Sequence, residues 1–397
     1  MAVSGGEAIL SIYGCRTISR AGAPMVPVFP AVFVIPPGDE LVSVTVTPLD
    51  TEILPMPAPV APMPDQVSPG RAWSGVKGRD QSIYGASGHW PPLTGELSTV
   101  QRKGGIALAF VNIYPLRPSG SEGIALFTPR VSVTIETRGA ISSDKGFSPR
   151  ISGRSAAGLS ALVENPEGLD AYGMDGETIP DEYLSASPVP YVIITSAELA
   201  GPFGQLASFR ERHGLKAEIV TTAWIESSYA GADLQERIRS FIRYAWQKWQ
   251  TDYVLLGGDE NVIPHRGMYV KAGTEVETDI PSDLYYSCLD GDWNSDGDIY
   301  FGEPGEEDLL PEVSIGRLPV DDASQIAAFV NKLILYTETP PAGASMTALM
   351  AGELLWSIDG IDTWGGDCKD EIVTGSDDYG FRSAGIPDVF TVTTLYD

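Results

Sequence analysis

Tyr191–Thr195 reads YVIIT and Tyr253–Asp259 reads YVLLGGD, and what lies between and after these two runs decides the fold. Each is a short unbroken apolar run, too brief for a buried helix, as a strand covered on both faces requires. After YVIIT comes a helical stretch with Pro202 near its start, Leu206 and Phe209 inside it and Gly214 just past its end. Ala217–Val220 is the next short strand. A second helix begins at Asp233 with a D-x-x-E cap and places Leu234, Ile238, Phe241, Ile242, Ala245 and Trp249 on one face. Those aromatic residues belong to the core. Val313–Ile315 is another strand, followed by a helix striped with Ile326, Phe329, Val330, Leu333 and Ile334. Strand and helix alternating through short links predict a mainly parallel sheet with helices on both faces.

The pattern continues through Ala348–Glu371, ALMAGELLWSIDGIDTWGGDCKDE, where a short strand would place Glu353 at its carboxyl end. Ligands of open α/β sheets bind outside the carboxyl ends of strands, so Glu353 and the following Asp367 are candidate site acids. Glu353 and Asp367 could equally cap the segments that follow them. A helix is expected from about Lys369 to Ser383 and a further strand at Val389–Thr393. The chain reaches Asp397 just past that strand, and the expected sheet looks unfinished there.

Before Tyr191 the grammar differs. Ala31–Ile35, Leu41–Thr47, Ile106–Ile113 and Val131–Thr137 read as strands, the first two joined by Pro36-Pro37-Gly38-Asp39. No helical period appears, so residues 1–140 are expected to form an all-β sandwich. Residues 54–70 are a proline-rich excursion, read as a stiff surface loop. Residues 141–188, rich in Gly, Ser, Asp and Pro, are read as an exposed interdomain segment carrying Arg150 and Arg154.

Of 397 residues, 53 are acidic and 26 are Lys or Arg, giving a formal charge of −27. Such a surface repels phosphates and argues against nucleic-acid partners, while suiting cations and basic peptides. No apolar run of about 18 residues occurs, so no membrane span is expected. The N-terminus lacks the charged and apolar pattern of a signal peptide. Cys15, Cys288 and Cys368 show no metal-type spacing.

The most specific local motif is Asp292–Glu303, DWNSDGDIYFGE. Asp292, Asn294, Asp296 and Glu303 occupy positions 1, 3, 5 and 12 of a calcium loop, with Gly297 at the sharp turn and Ile299 at the apolar eighth position. Asp298 and Asp290 are further contributors, Asp298 through its carboxylate or its carbonyl. Neither flank is helical, so a Ca2+-stabilised loop is expected rather than an EF-hand sensor. A Cys288–His265 dyad is conceivable, but Cys288 in YYSCLD reads better as a small core residue. No G-x-S-x-G elbow, Walker A or G-x-G-x-x-G sequence occurs.

Taken in order, DYVLLGGDENVIPHR, PSDLYYSCLDGDWNSDGDIYFGE, PEVSIGRLPV, AGELLW and TWGGDCKDEI resemble the gingipain-type cysteine peptidases, family C25 of clan CD. The resemblance covers about residues 191–397. PMVPVFPAVFVIPPGDE similarly resembles the propeptide domain of that family. It implies a caspase-like α/β catalytic domain over 189–397, preceded by a propeptide-like sandwich and a maturation segment. It implies an extracellular or cell-surface proenzyme that hydrolyses protein and peptide substrates after Arg or Lys. Glu353 would hydrogen-bond and orient the catalytic histidine, and Asp367 would pair with a basic P1 side chain at the base of the S1 pocket, Asp370 being the alternative. The family's catalytic His and Cys lie on strands expected beyond residue 397, so the chain as given is expected to be inactive. The resemblance leaves room for a sortase-like peptidase of a secretion system. The residues alone leave room for a non-catalytic calcium-binding surface module.

Overall fold

The structure is a computed structural model, and it describes all residues except 64–77, 140–149, 151–152, 173–187, 273–274, 359–360, 376–382 and 397. The N-terminal unit is antiparallel. A small hairpin, β1 (Ala2–Ser4) and β2 (Glu7–Ile9), precedes β3 (Arg16–Ile18), β4 (Val26–Val34) and the long β5 (Asp39–Pro55). After the single-turn α1 (Gln81–Tyr84) come β6 (Gly95–Lys103), β7 (Ile106–Ile113), β8 (Leu116–Pro118) and β9 (Ile124–Gly139). One sheet has the order β3-β4-β7-β6 and the other β5-β9-β8. Ala31, Val111 and Ile113 of the first sheet pack against Val44, Val46, Val131 and Val133 of the second, which makes the expected sandwich.

The opposite face of β4 and β7 is also covered. Helix α2 (Gly153–Leu162) and a 3-10 turn at Pro166–Tyr172 bring Leu159, Val163 and Leu169 onto Val32, Val34, Ile106 and Leu108. Coverage on both faces explains why IALAFVNI is apolar almost throughout. Part of the segment read as an exposed linker therefore closes the β domain's core. Its helix, GRSAAGLSAL, escaped notice because small residues give it only a weak apolar stripe.

The C-terminal unit begins at β10 (Tyr191–Thr195), buried at every residue. Helix α3 (Ala197–Arg212), β11 (Ala217–Thr221), α4 (Thr222–Ser228), α5 (Leu234–Tyr244) and β12 (Tyr253–Gly257) follow. The hairpin β13 (Arg266–Ala272) and β14 (Glu275–Ser282) leads to α6 (Leu284–Ser287), an irregular acidic loop, β15 (Ser314–Leu318) and α7 (Ala323–Glu338). Strands β11-β10-β12-β15 form a four-stranded, wholly parallel sheet. Ile193 faces Leu199, Phe203, Leu206, Phe209, Ile326 and Val330 from α3 and α7. Val192, Ile194, Val254 and Leu256 face Ile238, Phe241 and Ile242 from α5 on the other side. This is the α/β sheet with helices on both faces that the alternating pattern dictates.

Caps fix where the helices begin. The side chains of Ser196, Asp233 and Asp322 accept amides in the first turns of α3, α5 and α7. At the carboxyl end of β12 the chain turns sharply through Gly258 at φ 153°, where a Cβ would lie 2.5 Å from the Val262 side chain. Arg317 of β15 locks that turn. Its guanidinium donates to both carboxylate oxygens of Asp283, at 2.8 and 2.7 Å, and to the carbonyls of Gly258, Asp259 and Ile263.

The last elements stand apart from the four-stranded sheet. Strand β16 (Thr347–Gly352) pairs in parallel with β19 (Thr391–Tyr396) in a two-stranded sheet. Between them lie the hairpin β17 (Leu354–Ile358) and β18 (Ile361–Trp364), then α8 (Gly365–Thr374). The strand over Ala348–Ala351 is present, but Leu349 is 65% exposed, so it is not the buried strand the composition suggests. The two units touch at one place in particular. The β6–β7 turn sits on the acidic loop, with the Gln101 side chain donating to the Glu307 carbonyl and Lys103 Nζ to the Pro311 carbonyl.

Candidate functional site

Glu353 follows β16 directly, at the carboxyl end of the strand, as the sequence reading expects. Its carbonyl accepts the Gly365 amide at 2.8 Å, so the residue is tied to the first turn of α8. A Cβ on Gly352 would lie 2.5 Å from the Gly366 nitrogen, so only glycine permits this approach. Gly365 and Gly366 are buried there, whereas Glu353 and Asp367 are exposed. Asp367 sits in the first turn of α8, not at its cap, which is Trp364. A carboxylate in that turn is favoured by the helix dipole, and so is an anion near it. Asp370 lies one turn further on and accepts the Tyr396 hydroxyl at 2.7 Å, which fixes β19 against α8. The helix predicted from Lys369 starts four residues earlier, since Gly365 and Gly366 are needed for contact rather than for a turn.

The acidic loop brings part of its predicted ligand set together. Carboxylate oxygens of Asp296, Asp298 and Glu303 lie within 4.8 Å of one another. Asp292 lies outside that cluster and accepts the Asn294 amide at 3.1 Å. Asn294 donates its Nδ2 to the Asp298 carbonyl, leaving its buried Oδ1 without a partner. Gly297 makes the turn with φ 73°. Burial and the carboxylates of Asp298, Asp296 and Glu306 push the Glu303 carboxyl above its ordinary range. Crowded oxygen donors with an orphaned amide oxygen fit a hard cation such as Ca2+.

Asp290 does not join this loop. It belongs to a separate cluster with Asp308 and Glu312, whose carboxylate oxygens also lie within 4.8 Å of one another. Burial pushes the Asp290 carboxyl up to about 7 and the Glu312 carboxyl up to about 8. Three acids at residues 290, 308 and 312 share no recognisable spacing, and the loop's irregular path alone unites them.

The histidines and cysteines form no dyad among the described residues. Cys288 is fully buried in the core beside α5, and burial pushes its thiol up to about 12, which disfavours the thiolate a nucleophile needs. His265 lies 3.6 Å from a Glu260 oxygen and 3.8 Å from an Asp279 oxygen instead. His213 Nδ1 is 2.8 Å from the Phe209 carbonyl at the end of α3. Cys15 and Cys368 lie in β-domain and α8 positions, and all three cysteines are free.

Residues the sequence reading passed over hold the loop region together. Arg266 is 8% exposed, stacks 4.2 Å over Phe301 and 4.6 Å over Tyr285, and donates to Asp233 at 2.9 Å. Partial burial raises the Asp233 carboxyl, but Arg266 and the Glu236 amide outweigh it and hold the group below its ordinary range. The stabilisation is therefore full above the unfolded value near 3.9 and is lost as pH falls through the lower folded value. Asp233→Asn, which keeps the helix cap, should destabilise by about 1 kcal/mol at pH 7, the screened worth of a half-exposed pair. Urea melts at pH 7 and at pH 2 check this, because the difference from wild type should shrink as the pH falls.

Arg150, carried by the segment read as exposed, is itself largely covered. Its side chain is 13% exposed, pairs with Asp252 at 3.1 Å and stacks over Trp246, with its carbon Cζ 5.4 Å from the ring centre. The side chain of Arg154 lies outside the described residues. No helix among the described residues is long and apolar enough to cross a membrane.

A comparison with curated proteins finds no match. Among solved structures, the complex of the pro- and mature domains of RgpB from Porphyromonas gingivalis matches at 16% identity and a TM-score of 0.30. That match covers 39% of this chain and 77% of the other. Gingipain K from Porphyromonas gingivalis, in a study of its zymogenic latency, matches at 16% identity and a TM-score of 0.28, covering 32% and 72%. The Arg-specific cysteine proteinase gingipain R matches at 20% identity and a TM-score of 0.34, covering 53% of this chain and 43% of that one. The profile of peptidase family C25 matches residues 185–397, more than half of the sequence, and the chain belongs to that family of cysteine peptidases.

Proposed function

We propose that the chain comprises a propeptide domain, a maturation segment and the N-terminal part of the catalytic domain of a secreted or cell-surface cysteine endopeptidase, made as a proenzyme, that cleaves after Arg or Lys. The domains are residues 1–140, 141–188 and 189–397, with α2 travelling with the propeptide. The observation that carries the reading is the junction of β16 and α8 within the C25 segment, which sets Glu353 beside the turn that bears Asp367. In this reading the attacking thiolate and its histidine base come from residues other than the three cysteines and three histidines here. Glu353 is a positioning residue. Its carboxylate accepts a ring N–H of the histidine, fixes the tautomer and stabilises the imidazolium formed when the thiol is deprotonated. Asp367 receives the P1 guanidinium or ammonium, a charge-assisted pair that neutral side chains cannot make. Asp292, Asn294, Asp296, Asp298 and Glu303 would hold Ca2+, which supplies counter-charge that keeps the loop folded. Of these, Asp296, Asp298 and Glu303 are already gathered, and Asp292 would have to turn inward.

The test is Glu353→Gln in the intact protein. The base's ionisation is expected to move to lower pH in the kcat/KM profile, with kcat falling about 10- to 100-fold and KM little changed. An unchanged pH profile with lowered activity would show that Glu353 only supports the fold.

A further inference from the structure

The acidic cluster of Asp290, Asp308 and Glu312 is used by neither the proposed catalytic machinery nor the calcium loop. Within it, Asp290 and Asp308 are buried, 8% and 4% exposed, and Glu312 is half-buried. Every carboxylate in it accepts backbone amides. Gly105 donates to Asp290 Oδ2 at 2.7 Å, and Gly104 to Glu312 Oε1 at 2.9 Å. Leu289 donates to the other Glu312 oxygen, while Gly291 and Leu310 donate to the two oxygens of Asp308. The remaining oxygen of Asp290, Oδ1, is fully buried and has no partner. A buried, ionised carboxylate oxygen facing other carboxylates without a donor is strongly disfavoured, and either a proton or a cation against it relieves the cost.

Among the described residues, Arg102 and Arg239 act on Asp290 through their charge, and neither forms an ion pair with these carboxylates. The nearby Arg239 spends its guanidinium on the carbonyls of Cys288, at 2.8 Å, and Gly291, at 2.9 Å. Each carboxylate oxygen keeps a second lone pair after accepting an amide, so three acids can satisfy the amides and ligate an ion together. The donors are all hard oxygens from an irregular loop, a set suited to the flexible coordination of Ca2+ rather than the strict octahedron of Mg2+.

We propose that Asp290, Asp308 and Glu312 hold a second Ca2+ ion, buried beneath the β6–β7 turn and distinct from the exposed Asp296–Asp298–Glu303 site. Two of the three ligands are also the acceptors for Gly104 and Gly105, residues of the N-terminal unit. The ion keeps those carboxylates charged and in place, so it fastens the β domain to the peptidase domain. The carboxylates of the loop site, on the solvent side, are not the acceptors for Gly104 and Gly105.

Equilibrium dialysis of the whole chain against Ca2+, after stripping with chelator, tests the assignment. Wild type is expected to bind two ions. Asp296→Asn with Glu303→Gln should bind one and keep a calcium-dependent protection of the chain from limited proteolysis. Asp290→Asn with Asp308→Asn should also bind one, but lose that protection. If this double variant does not fold, Glu312→Gln alone, which still offers an oxygen to the Gly104 amide, is expected to weaken the second ion about tenfold. Two ions retained when the buried acids are neutralised would overturn the proposal, as would a wild-type chain whose bound calcium disappears entirely with the loop variant.

Discussion

Asp367→Asn in the intact protein is expected to lower kcat/KM for peptides with Arg or Lys at P1 about 100-fold or more. Leaving the partner charge of a desolvated ion pair unmatched costs about 2–5 kcal/mol, and each 1.4 kcal/mol is tenfold. The competing account makes Asp367 a helix-stabilising acid, since it lies in the first turn of α8. That role is worth only about 0.3–1 kcal/mol and would act on every substrate alike. The two accounts therefore separate by substrate rather than by variant. A loss confined to basic P1 residues supports the S1 role, and an equal loss for a neutral P1 peptide assigns Asp367 to the helix. Asp370→Asn serves as the control, because its carboxylate is already engaged by the Tyr396 hydroxyl.

Arg317→Ala should be the most destabilising single change in the parallel sheet's periphery. The side chain is 19% exposed and its partner Asp283 24%, and the substitution removes both hydrogen bonds of a bidentate pair. It also leaves the carbonyls of Gly258, Asp259 and Ile263 without their donor. Breaking one side of such a pair costs about 3–5 kcal/mol when buried, and partial exposure places this case near 3 kcal/mol. With a urea dependence of about 2 kcal/mol/M, the midpoint for the C-terminal unit should fall by about 1.5 M. Arg317→Lys should recover less than half of that, because an ammonium cannot fork onto Asp283 and reach the turn carbonyls together. Full recovery by lysine would mean that charge, not the fork, stabilises the turn.

What could be read from the residues follows from how the chain buries them. YVIIT, YVLLG, AEIVT and the stripes of α5 and α7 were legible because each is covered in a regular way, on both faces of a strand or one face of a helix. The hairpins β13–β14 and β17–β18 were not. In β14, Glu275, Glu277 and Asp279 alternate with Val276 and Ile280, yet the strand is exposed along almost its whole length, so its period marks no core face. Arg317 was visible only as part of IGRLP, and nothing in that string reveals that its acceptors come from residues 258–263 and 283. The calcium loop was legible as a spacing, yet the structure gathers Asp296, Asp298 and Glu303 while Asp292 turns to a local amide. The buried acids were invisible for a different reason. Asp290, Asp308 and Glu312 meet only because the loop folds back under a turn donated by residues about 200 positions earlier, as the Gly104 to Glu312 bond at a separation of 208 residues shows.

The central claim is that this C25 chain builds the supporting half of a site for basic P1 residues. It is tested most directly by the ratio of kcat/KM for matched peptides carrying Arg and norleucine at P1, measured on the intact, matured protein with Ca2+ present. The account predicts a ratio of about 100 or more, set by the charged pair with Asp367. A ratio near one, or a preference for norleucine, would contradict it.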